Sequence, residues 1–348
     1  MRGLLLILLV FSLAGCKEVE ISERSMLVNT EHEVLYQLAL HDGLSEASLK
    51  AKLNCSQGEL EKSLSRLESE DSIVKHTATD GRLVWRLSKD YENTNEQWLS
   101  DIQTFSLSKL SSLAPNHSVA QMHAEGGEII GMAFIHPKAE FSIIYFGGVG
   151  SHITPDALEL ANMFTDTTHN FYMFEYPSVN ALTEQSLISV YQSAAFNFAK
   201  EVINRVEVQQ TRVIGYGFSM GGFVVTQLSQ NMVFDGLILE ATATNIEDWV
   251  ALNIPWYVQP FLEVKIQPNL LALSNAEILS KTTAPVLILV GEQDQVTPVE
   301  LSQALYDAAK HRSIKQFSVI PDSDHGDAAL HHSFKPMLRR FLDNLIIH

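Results

Sequence analysis

One five-residue segment, Gly217-Phe218-Ser219-Met220-Gly221, constrains this chain more than any other. It lies between an apolar run over Arg212–Phe218 that reads as a buried strand and a run over 220–231 that reads as a helix. A strand that turns into a helix about a single residue needs small neighbours two positions to either side, because larger side chains would strike the adjoining strand and helix. Gly217 and Gly221 remove that collision, and Gly215 and Gly222 loosen the turn further. Ser219 is then presented above the edge of a sheet, where a hydroxyl can meet a ligand.

The pattern on either side extends this picture. Residues 118–124 and 128–136 flank Glu125-Gly126-Gly127, a hairpin signal. Apolar strands follow at Phe141–Phe146, 171–174, Arg212–Phe218, Gly236–Glu240, 285–290 and Lys315–Ile320. Helical patterns fall between them, near 153–164, 183–204, 220–231, 298–311 and 332–346. Apolar strands alternating with helices imply a mostly parallel sheet with helices on both faces. No internal repeat interrupts the series.

A serine hydroxyl becomes a strong nucleophile only beside a base, and the base works best when an acid orients it. The strand 285–290 runs into Gly291-Glu292-Gln293-Asp294, and Lys315–Ile320 runs into Pro321-Asp322-Ser323-Asp324-His325. Asp294 and His325 therefore occupy neighbouring strand ends, on the side of the sheet where Ser219 emerges. Their rivals are Glu292 for the acid and His331 or His332 for the base; a helix-capping role is the alternative for Asp294. The strand Phe141–Phe146 ends in Gly147-Gly148-Val149-Gly150, which allows backbone N–H groups to approach a developing negative charge. The predicted oxyanion donors are Met220 together with Val149 or Gly148. His136, His152 and His169 show no metal-ligand spacing, so neither a metal nor a cofactor is expected.

Residues 118–348 resemble the α/β-hydrolase superfamily. The resemblance rests on Ile143-Ile-Tyr-Phe-Gly-Gly, Phe174-Glu-Tyr-Pro, Gly217-Phe-Ser-Met-Gly-Gly, Ala284-Pro-Val-Leu-Ile-Leu-Val-Gly-Glu-Gln-Asp and Asp324-His-Gly. They are most similar to the small-lid esterase branch. The resemblance implies Ser219, Asp294 and His325 as a catalytic triad acting on a carboxylic ester or thioester of a small or acylated substrate. A serine peptidase on the same fold and a non-catalytic binding protein are the other readings. Residues 245–283, with Trp249, Trp256, Tyr257 and Phe261, are expected to form a short apolar lid. Two positions depart from the usual pattern: Gly147-Gly148 stands where many relatives have His-Gly, and Pro177-Ser-Val-Asn180 replaces a Gly-rich loop.

The N-terminal part reads differently. Arg2, the apolar run 4–11 and Leu13-Ala14-Gly15-Cys16 resemble a bacterial lipoprotein signal, which implies removal of 1–15, lipid on Cys16, and an envelope location on the periplasmic side of the outer membrane. Residues 16–29 are expected to be a tether and 91–117 a linker holding one helix over 98–113. Between them, 30–90 reads as three helices and a hairpin about Thr79-Asp80-Gly81, which resembles a winged helix. Over 28–90 there are 8 Lys+Arg and 11 Asp+Glu, and the whole chain has a formal charge of −17. That sign repels phosphate backbones, so nucleic acid is excluded as a partner, and the unit over 30–90 is expected either to contact a protein partner or to pack on the domain over 118–348. With Cys16 lipidated, Cys55 has no disulfide partner; it is either a small buried hydrophobe or a half-exposed thiol.

Overall fold

A computed structural model of the chain describes residues 17–164, 167–177, 186–255, 257–309 and 314–347. Cys16, most of the Pro177–Asn180 departure, the first residues of the helix expected over 183–204, Trp256 and the end of that expected over 298–311 lie outside the described residues.

The chain opens with β1 (Lys17–Ile21) and α1 (Glu23–Leu27), followed by α2 (Thr30–Leu40), α3 (Glu46–Leu53), α4 (Gln57–Ser69), β2 (Ile73–Thr77) and β3 (Leu83–Leu87). Three short helices come next: α5 (Lys89–Thr94), α6 (Glu96–Gln103) and α7 (Leu107–Leu113). Capping sets most of these boundaries. Ser22, Asn29, Ser45, Ser56, Ser88 and Ser106 each accept a backbone N–H from three residues on, satisfying donors that a helix start otherwise leaves unpaired. Val34, Leu38, Leu49, Leu60, Leu64, Ile73, Trp85, Leu99 and Ile102 form a core of their own. Leu44 bridges to Trp85 of β3 and closes the antiparallel β2–β3 hairpin against the helices.

The rest of the chain builds one eight-stranded sheet. Its elements are β4 (Ser118–His123), β5 (Ile129–Ile135), β6 (Phe141–Phe146), α8 (Ile153–Phe164), β7 (Asn170–Phe174), α9 (Leu187–Gln209), β8 (Arg212–Phe218), α10 (Met220–Leu228) and β9 (Gly236–Glu240). They continue with α11 (Ile246–Asn253), β10 (Leu262–Ile266), α12 (Pro268–Leu271), α13 (Asn275–Lys281), β11 (Val286–Gly291), α14 (Val299–Ala308), β12 (Lys315–Ile320) and α15 (Phe334–Ile347). The strand order is β12-β11-β9-β8-β6-β7-β5-β4. The β4–β5 and β5–β7 pairs are antiparallel and the others parallel. Alternating residues of the central strands feed two cores. Ile143, Ile214, Tyr216, Leu287 and Leu289 meet α8 and α15, whereas Ile144, Val213, Val286 and Ile288 meet α9, α10 and α14. Burial on both faces is why these strands read as continuous apolar runs.

Three expectations about the chain's organisation are corrected. Residues 17–29 are not a tether. β1 pairs in parallel with β10 of the lid over Lys17↔Leu262 to Ile21↔Ile266. Ile21, Leu27 and Val28 are buried with Leu187, Ile188, Val258 and Leu270. The Glu23 carboxylate accepts from Ser186 Oγ (2.9 Å), Ile188 N (3.1 Å) and Asn269 Nδ2 (2.7 Å). Residues 91–117 are not a linker with one helix: Ser106 starts a separate helix, so Leu99 and Ile102 enter the N-terminal core while Leu110 and Ala114 enter the sheet's core. The lid is shorter than 245–283, since Ala276 and Leu279 of α13 pack on the sheet with Val286 and Leu305.

Candidate active site

Ser219 has the backbone conformation that the turn requires, with φ 53° and ψ −117°. Non-glycine residues rarely take a positive φ, and such strain persists only where surrounding packing dictates it. Here packing does. A Cβ on Gly221 would lie 1.9 Å from the Phe146 carbonyl oxygen, so α10 leaves the turn with its backbone pressed on the end of β6. Ser219 N donates to Glu240 O at 2.9 Å, carrying the β8–β9 ladder to the last residue before α10.

His325 comes to Ser219 from the loop after β12. Its Nε2 lies 3.2 Å from Ser219 Oγ and its Nδ1 lies 2.9 Å from Asp294 Oδ2. The Asp294 side chain is 0% exposed and that of His325 14%. Burial of a carboxylate demands partners, and Asp294 has several. Its Oδ1 accepts from Val296 N and Thr297 N, both at 2.8 Å, and its Oδ2 from Thr297 Oγ1 at 2.7 Å. The helix-capping alternative for Asp294 is not realised, since α14 starts after Pro298 with no side-chain cap; Oδ1 instead closes an Asx turn while Oδ2 meets His325. The Phe218 ring lies 5.0 Å from the His325 ring, and Asp324 Oδ1 accepts from His325 N at 2.7 Å. The rivals are elsewhere. Glu292 is exposed and accepts from Asp322 N at 3.4 Å. His331 is hydrogen-bonded to Ser333 and packs against His332.

The glycine loop after β6 reaches the same place. A Cβ on Gly148 would lie 3.2 Å from Ser219 Cβ. Gly148 is buried, and Val149 and Met220 are half-buried. Ser219, Asp294, His325, Met220, Gly148 and Val149 are therefore gathered at the C-terminal ends of four strands. A hydroxyl facing one nitrogen of an imidazole, with a buried carboxylate at the other, can pass its proton to the ring while the carboxylate stabilises the resulting charge.

Several residues around this centre escaped the sequence reading. Thr297 donates to Asp294 and sits 3.3 Å from His325 Nδ1; its place three residues after an acid at a strand end was the available signal. Glu240 ends β9 and is buried. Its carboxyl accepts from Tyr216 Oη and, at 3.0 Å, from Ala329 N. Burial raises its pKa to about 7. A lone acid in the otherwise apolar Gly236–Glu240 run marked it. His152, weighed only as a metal ligand, instead contacts Glu33 and Glu175. Among the described residues no cluster of His, Cys, Asp and Glu has metal-holding geometry, and no helix is long and apolar enough to cross a membrane. Cys55 is buried and unpaired, and burial raises its thiol pKa, which resolves it as a small core residue.

Comparison with known proteins bears on the fold. Residues 192–344 match the model of the prolyl oligopeptidase family. The chain is 28% identical over 124 residues to an uncharacterized protein of Mycobacterium tuberculosis strain H37Rv, spanning 36% of this chain and 41% of the relative. It is 31% identical over 144 residues to lysophosphatidylserine lipase ABHD12 of Rattus norvegicus, spanning 36% of each. The chain thus spans only about two fifths of the curated relatives it matches. Among solved structures it is similar to the esterase PF2001 of Pyrococcus furiosus, with a TM-score of 0.53, 15% identity, and 68% of this chain and 93% of that one covered. From β4 to α15, this protein has the α/β-hydrolase fold.

Proposed function

We propose that the protein is a serine hydrolase that cleaves a carboxylic ester or thioester through an acyl-enzyme. The observation that carries this reading is the unbroken contact from Ser219 Oγ through His325 to the buried Asp294, beside the Gly148 backbone. Ser219 Oγ attacks the acyl carbon as its proton passes to His325 Nε2. Asp294 holds the ring by Nδ1 and stabilises the imidazolium. Backbone N–H groups of Met220 and of Val149 or Gly148 receive the oxyanion, each contributing about 3 kcal/mol to the transition state. His325 then returns the proton to the leaving alkoxide or thiolate; water, deprotonated by the same nitrogen, attacks the acyl carbon, and His325 gives that proton to Ser219 Oγ as the acid is released. Half-buried Trp249 and Met220, packed in the lid cluster, suit an acyl chain. The sequence signal at Cys16 supports a lipid anchor that holds the enzyme at the bacterial envelope. The unit over 30–90, with its winged-helix resemblance, is a candidate platform for a protein partner.

The match to the prolyl oligopeptidase family over 192–344 favours one second reading, cleavage of peptides by the same three residues. A fluorophosphonate probe, a p-nitrophenyl ester chain-length series and a panel of chromogenic peptides decide among the readings. The expected result is Ser219-dependent labelling with ester cleavage; peptide cleavage alone favours the second reading, and no labelling of folded protein overturns both. Metabolic labelling with palmitate, lost in Cys16→Ser, tests the anchor.

A further inference from the structure

The loop that joins β6 to α8 is tied down from a distance. His152 lies between two carboxylates from different parts of the chain. Its Nε2 is 2.9 Å from Glu33 Oε1 on α2, and its Nδ1 is 3.6 Å from Glu175 Oε1, just beyond β7. The three side chains are 19%, 17% and 21% exposed. Tyr36, one helical turn after Glu33, stacks on the His152 ring at 4.0 Å and 8°. His32 lies nearly parallel to the same ring at 6.1 Å, and its own ring packs beside the Gly150 backbone. Gly150 has φ 77°, and a Cβ there would lie 3.1 Å from the His32 ring. Thus His32, Glu33 and Tyr36 all bear on 150–152, next to the backbone that faces Ser219.

Resting on the hydrolase reading above, we infer that α2 is a positioning element for that reaction: Glu33, Tyr36 and His32 clamp His152 and Gly150, and thereby fix the Gly148–Val149 N–H groups toward the oxyanion. The remaining ties on this loop come from the sheet domain. Tyr176 Oη donates to Gly147 O at 2.8 Å, Ser151 Oγ to Asp156, and Ile153 N to Glu175 Oε2 at 2.8 Å. They hold Gly147, Ser151 and Ile153, and the α2 contacts add Gly150 and His152. A charge between two acids also fits the titration. Burial works against protonation of His152, but Glu175 and Glu33 more than offset it and carry its pKa up to about 10. Glu33 is lowered in turn: burial raises it, and the His152 contact outweighs that. Tyr36, Asp156 and His32 are the other titratable groups facing His152. An interface that served only as glue would need neither the ion pair nor its placement on a glycine-rich loop.

The test uses the full chain and the Glu33→Gln variant, which keeps the side chain's shape and removes its charge. Misplacing a catalytic group by about 1 Å costs up to about 100-fold, so a partial loosening is expected to lower kcat for p-nitrophenyl butyrate about tenfold. KM should stay within about twofold, since the oxyanion contact forms only in the transition state. Amide hydrogen exchange over 147–152 should quicken while the rest of the sheet domain keeps its protection. A wild-type kcat in Glu33→Gln, or an effect confined to KM, overturns the proposal. If Glu33→Gln does not fold, Tyr36→Leu removes the stack, keeps the ion pair and is read by the same two criteria. Exchange is measurable whether or not an ester is cleaved. An inert wild-type chain whose loop still loosens in Glu33→Gln overturns the hydrolase reading and supports the clamp; unchanged exchange overturns the clamp.

Discussion

Two loops meet at Ser219, and they are held by opposite means. The turn from β8 to α10 is set within a few residues: Gly217 and Gly221 let the backbone close, and the strained Ser219 follows. The loop from β6 to α8 carries three glycines but takes its position from Glu33, 119 residues earlier, and from Glu175 and Tyr176 further on. Steric exclusion shapes the first, whereas charge and ring stacking across a domain boundary shape the second. One half of the site is therefore intrinsic to the sheet domain, and the other depends on an N-terminal unit with its own core.

The contrast can be broken at either loop. The largest expected effect is on the intrinsic side. Ser219→Ala should lower kcat about 10⁶-fold, as when a triad serine is removed from a working triad, with urea unfolding unchanged. Asp294→Asn should cost about 10⁴-fold by favouring the wrong histidine tautomer; steady-state kinetics on an activated ester reads both, and full activity in either variant removes that residue from the proposed triad. On the dependent side, Leu60→Ala empties space in the N-terminal core and should destabilise that unit by about 2–5 kcal/mol. If the unit positions the β6–α8 loop, activity should fall on warming at the temperature where exchange shows 30–90 opening, before the sheet melts. Gly221→Ala sharpens the intrinsic half. Its Cβ meets the Phe146 carbonyl, and overpacking of this kind costs about 1–3 kcal/mol, read as a lowered urea midpoint.

The smallest expected effect is on pH. Glu240 is raised by burial from 4.5 to about 7 and Asp156 from 3.8 to about 6. A raised folded pKa means that the folded state binds the proton more tightly, so the stability it brings is present below the unfolded value and lost as pH rises through the folded one. Stability should therefore decline from about pH 4 to about pH 7 on account of these two groups. Glu240→Gln should flatten the upper part of that decline in thermal melts at fixed ionic strength. His152, raised from 6.5 to about 10, adds a further decline that runs from about pH 6.5 to about pH 10.

Much of this was legible without a structure. Strand ends, the Ser219 turn and the placement of Asp294 and His325 follow from short-range pattern, because a buried parallel strand and a tight turn each leave a continuous local signature. Thr297 left a signal of the same kind, an Asx-type spacing after Asp294, that passed unread. What misled was the segment 17–29. Val19 and Ile21 alternate with Glu18 and Glu20, but five residues of alternation without a neighbouring hairpin partner resemble polar linker. Their partner, β10, lies some 240 positions away. The break at Ser106, which sends Leu99 and Leu110 into different cores, was hidden for the same reason: each half alone continues a plausible helical pattern.

The sequence by itself determined the sheet, the strained turn at Ser219 and the order of the residues that converge on it, since these depend on side-chain volume and period along a few contiguous residues. Only the tertiary structure decided that β1 joins the lid, that Glu240 is buried beside the centre, and that Glu33 and Tyr36 close on His152. Those contacts pair groups far apart in the chain, and their energies come from burial and charge that exist only once both partners have been brought out of water.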